Sequence, residues 1–265
     1  MQSALKGQVK NATRQHKLNR LQRLVARFEP PLEKGVRIMT GFTDIDVYFA
    51  DHAGGGLPCG GVHEIVAARP GDMSAALGFA HRLAAQFLTA AESETILLYG
   101  QTHAAVREGG QPYAPALAAH HLSGAHVTYL DGVILSDLLW AGEEALNCSA
   151  IGCTVLASWD TAPDFTASRR LTLAARAAER PLIIALGAQA AGVTSAASTR
   201  WQVKSLPQQG WQLCLSKLRL PHTALPPPCG WQVYPQVKKL PMQPVKDGQM
   251  NDAHPLPLMA ARSGF

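Results

Sequence analysis

A glycine-rich stretch near residue 60 begins a segment whose order of elements is the context in which a loop that binds phosphate would lie. The glycines of residues 54–61 lead into a short apolar strand, Val62–Ala67, and a second turn, Arg69-Pro70-Gly71-Asp72-Met73-Ser74, precedes a helix. In a working phosphate loop, backbone N–H groups surround the phosphates, a lysine bridges the β and γ phosphates, and a Ser or Thr hydroxyl binds Mg²⁺. The order of elements therefore predicts a phosphate loop, and its chemistry depends on the second turn.

The second turn lacks the group that this chemistry needs most. Met73 occupies the position of the lysine, and Asp72 would place a carboxylate beside the phosphates. Two like unit charges about 4 Å apart repel by roughly 4 kcal/mol at an effective dielectric of about 20, which opposes nucleotide binding. Only Gly71 and Ser74 remain from the loop chemistry, and Arg69 is the nearby cation that could compensate. The alternative is a plain strand-to-helix turn in which Asp72 or Ser74 caps the helix.

The two carboxylates that a nucleotide-hydrolysing enzyme of this type needs are also missing from their expected positions. One should end a later core strand, where Ala157 and Ser158 stand, and another should follow the second strand, where Gln101 stands. Asp160 lies slightly too far along the chain to substitute. We therefore expect a protein that is not an enzyme, with no catalytic residue, no metal site and no cofactor.

Cysteines and histidines add no metal or disulfide pattern. The five cysteines are odd in number and scattered, no C-x-x-C occurs, and the histidines lack ligand spacing. A reduced protein is the simplest interpretation. The first residues form no apolar leader, and the longest apolar runs are too short to span a bilayer, so we expect a cytoplasmic location.

Short apolar runs alternate with helical segments from Gly41 onward. The predicted strands are Val62–Ala67, Ile96–Tyr99, His126–Leu130, Ile151–Ala157 and Leu182–Leu186, each with the composition of a buried parallel strand. The predicted helices are Ser74–Leu88, Pro115–Leu122, Ile134–Leu146 and Ser168–Glu179. Such alternation predicts an α/β fold, a doubly wound and mostly parallel sheet with helices on both faces.

The pattern changes after Gly192, where a short β-hairpin extension is predicted near the C-terminus. Its strands are Arg200–Lys204, Gln209–Lys217 and Trp231–Tyr234, and Gln209-Gly210 is a plausible hairpin connection. Trp201 and Trp211 on this hairpin have two interpretations. They could pack the small sheet, or they could stack nucleic-acid bases beside Lys217 and Arg219.

The net charge of +5 conceals an acidic centre between two basic ends. Residues 1–37 carry nine Lys/Arg and two Glu (+7), residues 38–199 carry seven and fifteen (−8), and residues 200–265 carry eight and two (+6). Basic ends of this kind contact nucleic acid or an acidic protein surface, or they are solvated tails. We divide the chain into a basic arm at 1–36, a core at 37–234, and a Pro-rich tail at 235–265 that is expected to be extended or disordered.

The basic arm contains a predicted amphipathic helix, Asn11–Phe28, which the tandem prolines at 30 and 31 terminate. Its apolar side chains share one face, and arginines occupy much of the rest. The candidates for partner contact on this helix are Leu18, Arg20, Leu21, Arg23, Val25 and Phe28. The helix could dock onto its own core, onto a partner protein or onto phosphates.

These motifs together resemble those of the ImuA family, RecA-like proteins encoded in bacterial damage-induced mutagenesis cassettes. The resemblance is carried by Gly-Gly-Gly-Leu-Pro-x-Gly-x-x-His-Glu at residues 54–64, by the altered phosphate loop, and by Ser-Arg-Arg-Leu at residues 168–171. Residues 41–46 resemble the lead-in that this family shares with RecA. The similarity covers about Ile38 to Leu215.

The resemblance implies a RecA-like fold and a non-catalytic role in SOS-induced, error-prone translesion DNA synthesis. It implies RecA and ImuB-like or error-prone polymerase subunits as partners, with no membrane contact, and it leaves open self-association and weak nucleic-acid contact by the basic arms. Residues 187–199 would correspond to the RecA loop that approaches single-stranded DNA, but they carry no basic residue and could be a plain connection. The alternatives are a residual nucleotide-binding ATPase that uses Arg69, and a cell-division inhibitor like SulA.

Overall fold

The computed structural model describes residues 35–52, 55–91, 95–120, 122, 126–219 and 229–234. The predicted arm helix and the tail at 235–265 lie outside these ranges, so the division of the chain into arm, core and tail stays a prediction. Within the described ranges, no helix combines the length and apolar character that a bilayer crossing requires.

Six helices and ten strands follow one another along the described chain. The helices are α1 (Thr43–His52), α2 (Met73–Ala90), α3 (His103–Gly109), α4 (Ala114–Ala119), α5 (Leu135–Asn147) and α6 (Phe165–Ala178). The strands are β1 (Arg37–Ile38), β2 (Leu57–Pro58), β3 (Val62–Ala67), β4 (Ile96–Thr102), β5 (Val127–Val133), β6 (Ile151–Ser158), β7 (Leu182–Leu186), β8 (Thr199–Ser205), β9 (Trp211–Leu218) and β10 (Cys229–Val233).

Eight of these strands form one sheet, in the order β10-β9-β8-β3-β7-β6-β4-β5. The six strands from β8 to β5 are parallel, and β9 and β10 continue the sheet as antiparallel neighbours. β1 and β2 pair separately in a small antiparallel ladder. The predicted α/β class and the mostly parallel sheet are thereby confirmed.

The strand β3 shows why the sheet needs helices on both faces. All six of its residues are buried, and successive side chains point to opposite sides of the sheet. Ile65 and Ala67 belong to the apolar cluster that α1 and α2 cover, while Val62 and Val66 belong to the cluster beneath α5 and α6. This central strand accordingly has apolar residues at four of its six positions, and the other two, His63 and Glu64, are hydrogen-bonded.

The predicted elements agree closely in the centre of the sheet and less well at its edge. β3 and β7 have the predicted bounds, and α2, α5 and α6 lie within a few residues of theirs. The sequence did not predict α1 or α3, and α4 is shorter than the predicted Pro115–Leu122. β5 was expected to be buried, but it is the outer strand of the sheet and most of its residues are partly or fully exposed.

The C-terminal strands confirm the predicted hairpin and correct one expectation about cysteine. β8 and β9 pair antiparallel, and a short 3₁₀ turn at Pro207–Gln209 connects them. This turn overlaps the predicted connection, Gln209-Gly210, at Gln209. Cys214 on β9 is disulfide-bonded, and the residue opposite its Cα on β10 is Cys229. The expectation of a fully reduced chain is wrong in this structure, because strand pairing brings together positions that are separated in the sequence.

Candidate functional site

The second turn of the phosphate-type loop lies at the carboxyl edge of the sheet. β3 ends at Ala67, the backbone N–H of Ala68 donates to the carbonyl of Val203 on β8 at 2.8 Å, and α2 begins at Met73. Between them, Pro70–Asp72 form one turn of 3₁₀ helix. The sequence of strand, tight turn and helix is therefore the one that the glycine-rich motif predicts.

Asp72 contributes a buried carboxylate to this turn. Its fully buried carboxylate accepts two hydrogen bonds from Arg69, from Nε at 3.0 Å and from Nη2 at 3.1 Å. The same carboxylate accepts from the backbone N–H of Ser205 at 3.0 Å and from the Ser205 hydroxyl at 2.6 Å. Four donors thus converge on one carboxylate, and Arg69 is already engaged by the chain itself.

These contacts correct the expected role of Asp72 as a helix cap. Asp72 occupies the N-cap position of α2, but its side chain makes no capping hydrogen bond, and Ser74 is exposed. Met73, at the lysine position, is buried in the apolar cluster under α2. A phosphate placed here would meet the Asp72 carboxylate, and the cation beside it, Arg69, is already paired with that carboxylate.

The acidity of Asp72 follows from its partners. The hydrogen bonds from Arg69, and to a lesser degree those from Ser205, hold the pKa of Asp72 well below its ordinary value of 3.8, although burial acts in the opposite direction. A carboxylate with a depressed folded-state pKa stabilises the folded protein above its unfolded-state pKa. That contribution is lost as the pH falls from about 4 towards the folded-state pKa.

We expect Asp72→Asn to remove this pH-dependent contribution and to cost about 1–3 kcal/mol at neutral pH, because bonds from Arg69 and Ser205 lose their charged acceptor. Chemical denaturation between pH 7 and pH 3 measures both effects. The wild-type protein should lose more stability than Asp72→Asn across that interval. Asp160→Asn, at an exposed position beyond β6, is the matched control. Parallel pH profiles for wild type and Asp72→Asn would contradict the assignment.

The other strand ends hold polar side chains that bond to each other. Gln101 on β4 donates to Oδ1 of Asp131 on β5 at 3.1 Å, and Gln111 donates to Oδ2 of Asp131 at 2.7 Å. Ser158 donates to the carbonyl of Thr161 at 2.8 Å. Sequence reasoning missed Asp131, because its link to Gln101 depends on the pairing of β4 with β5.

The structure places none of these groups in a metal-binding arrangement. Among the described residues, no group of three or more His, Cys, Asp or Glu side chains could hold an ion. His63 instead bonds to the Thr199 hydroxyl at 2.9 Å and the Pro58 carbonyl at 3.0 Å. Burial lowers its pKa to about 4.

A second polar cluster lies on the other face of β3 and was not predicted. Glu64 accepts from Arg200 Nε at 2.7 Å and from the Ser195 hydroxyl at 2.6 Å, and all three residues are buried. Ser195 also contacts Ser168 on α6, hydroxyl to hydroxyl, at 2.8 Å. The residues come from β3, β8, α6 and the segment before β8, so tertiary packing alone brings them together.

This cluster changes the interpretation of residues 187–199. Their sequence left open a RecA-type loop and a plain connection, and the structure buries Ser195–Thr199. Lys217 donates to the Ser195 carbonyl, and Arg219 donates to the Ala196 carbonyl at 3.1 Å. Burial lowers the pKa of Lys217. These two candidates for partner contact therefore donate hydrogen bonds within the chain itself. They also place positive charge beside residues 187–199, which contain no basic residue.

The tryptophan candidates of the hairpin are core side chains. Trp201 is fully buried, with its ring centroid 5.4 Å from that of Phe79, and Trp211 lies 5.9 Å from the same ring. Of the two interpretations of the hairpin, packing therefore agrees with the structure. The faces needed to stack a base are occupied. The arm candidates Leu18, Arg20, Leu21, Arg23, Val25 and Phe28 lie outside the described residues.

Comparison with known proteins adds no assignment to this geometry. No protein-family model matches the chain, and no curated protein matches it.

Proposed function

We propose that this chain is a non-catalytic, RecA-like accessory protein of SOS-induced, error-prone translesion DNA synthesis. It acts through contacts with RecA and with ImuB-like or error-prone polymerase subunits, in the cytoplasm where these partners work. The proposal rests on the resemblance of residues 38–215 to the ImuA family, and on an α/β sheet that is compatible with a RecA-like fold.

One observation carries the non-catalytic part of this proposal. The turn that would cradle a phosphate is closed by its own ion pair, Arg69–Asp72, and anchored to the end of β8 through Ser205. A buried Met73 follows it. Such a turn keeps the strand-to-helix connection of a nucleotide-binding domain, but its cation is paired with a carboxylate and an apolar side chain stands at the lysine position.

The alternative of a residual ATPase makes a different prediction about Arg69. In that case the Arg69 guanidinium contacts phosphate, so nucleotide should bind, and Arg69→Ala should abolish binding and turnover. We expect no heat of binding in a calorimetric titration with ATP and Mg²⁺, and no ATP turnover above background. Turnover that disappears in Arg69→Ala would refute the non-catalytic assignment.

Partner capture tests the proposal directly. We expect immobilised full-length protein to retain RecA or a polymerase subunit from a defined mixture, and Leu21→Asp with Phe28→Asp to abolish retention, because apolar area of the arm is buried at the contact. The melting temperature should hardly change. Arg20→Glu with Arg23→Glu should slow association and weaken its salt dependence.

Two results would contradict this picture. Failure to retain RecA and every polymerase subunit at micromolar concentrations would remove the proposed function. Retention that survives deletion of residues 1–30 would move the contact from the arm to the core. SulA-like activity would appear instead as binding to the cell-division machinery without binding to the polymerases.

A further inference from the structure

An uncovered apolar patch lies where the described chain begins. Val36 is 62% exposed, Met39 is 51% exposed and Val47 on α1 is 53% exposed, whereas Ile38 between the first two is buried. The backbone N–H and the hydroxyl of Thr40 both donate to Oδ1 of Asp46, at 2.6 and 2.8 Å. Met39 and Val47 are the sequence neighbours of these bonded residues, so the two exposed side chains start from backbone positions that lie close together.

The exposed side of α1 combines this apolar character with negative charge. Asp44, Val47 and Asp51 are spaced i, i+3 and i+7, which places them on one face of the helix, and all three are exposed. The opposite face buries Ile45 and Phe49. α1 contains three acidic residues, Asp44, Asp46 and Asp51, and no Lys or Arg. We call Asp44, Val47 and Asp51 the α1 face.

The geometry points to residues 11–28 of the same chain as the occupant of the α1 face. This segment has five Lys or Arg and no acidic residue, and the helix predicted for it groups Leu18, Leu21, Val25 and Phe28 on one side. Basic and apolar positions on the segment therefore match acidic and apolar positions on the α1 face. The inference does not depend on which protein is the partner in translesion synthesis.

The length of the connecting chain favours docking within one molecule. Residues 29–34 span at most about 20 Å when extended, and the patch begins at Val36, two residues beyond them. A tethered segment of this kind experiences a millimolar effective concentration, so a modest contact suffices. A helix of 18 residues would be about 27 Å long against about 15 Å for α1, long enough to extend beyond α1 towards Met39 and Val36.

Docking of the arm on the α1 face has a consequence for partner binding. The same apolar side chains cannot contact α1 and a partner at once, so a partner that uses the arm must compete with the chain's own core. The apparent affinity for that partner is then reduced by the fraction of molecules whose arm is released.

Hydrogen exchange of the full-length protein, followed by mass spectrometry, tests the inference. We expect the amides of residues 11–28 to be protected in the wild type, and Val47→Asp to reduce that protection about tenfold or more. Leu173→Asp on α6 is the matched control, since Leu173 is 52% exposed and lies on another surface. Trp140→Asp on α5, where Trp140 is 61% exposed, should also leave the protection unchanged.

Because Val47→Asp could lose protection by misfolding, a second test exchanges the charges of the α1 face and the arm. Asp44→Lys with Asp51→Lys should lose the protection, and adding Arg20→Glu with Arg23→Glu should restore it. Absence of protection in the wild type would overturn the inference, as would loss of protection in Trp140→Asp or Leu173→Asp. Protection that rises with protein concentration would also overturn it, because the occupant would then be the arm of a second copy. Failure of RecA capture alone would leave the inference intact.

Discussion

Replacing Glu64 with alanine is expected to lower the free energy of unfolding by about 3–5 kcal/mol, because it leaves a buried guanidinium without its carboxylate. The side chains of Glu64 and Arg200 are 1% and 11% exposed, and their charged atoms are 2.7 Å apart. The change also removes the acceptor of the Ser195 hydroxyl. Urea denaturation measures the loss, which is a large share of the roughly 5–15 kcal/mol typical of a folded domain.

A surface pair of equal length provides the control. Glu143 and Arg170 also approach to 2.7 Å, but Arg170 is 56% exposed, so Glu143→Ala should cost no more than about 1 kcal/mol. The double change Glu64→Met with Arg200→Met should recover much of the stability lost in Glu64→Ala, since no charge remains buried. Equal losses in Glu64→Ala and Glu143→Ala would show that burial of the pair contributes little.

Trp201→Ala is expected to cost about 3–5 kcal/mol, the usual range for removing a buried large aromatic side chain. The indole packs against Phe49 and Phe79 and donates from Nε1 to the Thr199 hydroxyl at 3.2 Å. The alanine variant creates a cavity between α1, α2 and β8. Thermal unfolding should show a lower melting temperature, and Trp140→Ala, at an exposed position, should show almost none of this effect.

The same variant separates the two interpretations of the hairpin tryptophans. If Trp201 stacked bases, its removal would weaken binding of single-stranded DNA and leave folding intact. If Trp201→Ala kept its full stability and lost affinity for DNA, Trp201 would be a residue that contacts nucleic acid. A destabilised protein is the outcome that the buried ring predicts.

The sequence predicts the centre of this fold well for a simple physical reason. A strand such as β3 is buried on both faces, so all its residues must be apolar or paired, and the run is visible without any knowledge of its neighbours. Long amphipathic helices such as α2 and α5 can likewise be recognised from their own sequence, because their apolar residues recur with the helical period. α3, with seven residues, is too short for its periodicity to be distinguished from a turn.

The polar interior could not be predicted because its partners are distant in the chain. Arg69 and Asp72 are near neighbours, yet the carboxylate also needs Ser205, 133 positions away from Asp72. Glu64 and Arg200 are separated by 136 positions. Nothing local distinguishes these residues from surface charges, so the sequence indicated an unfavourable carboxylate at the phosphate loop without indicating how it is satisfied.

The position of β3 in the sheet has a consequence for how the chain is made. Its two neighbours are β7 and β8, with Val62 opposite Leu182 and His63 opposite Thr199, so both partners are synthesised long after it. Translation at about 5–20 residues per second separates β3 from β7 by roughly 6–24 s. During that time the nascent chain carries an unpaired apolar strand, and folding without aggregation depends on early packing against α2 or on cover by a chaperone.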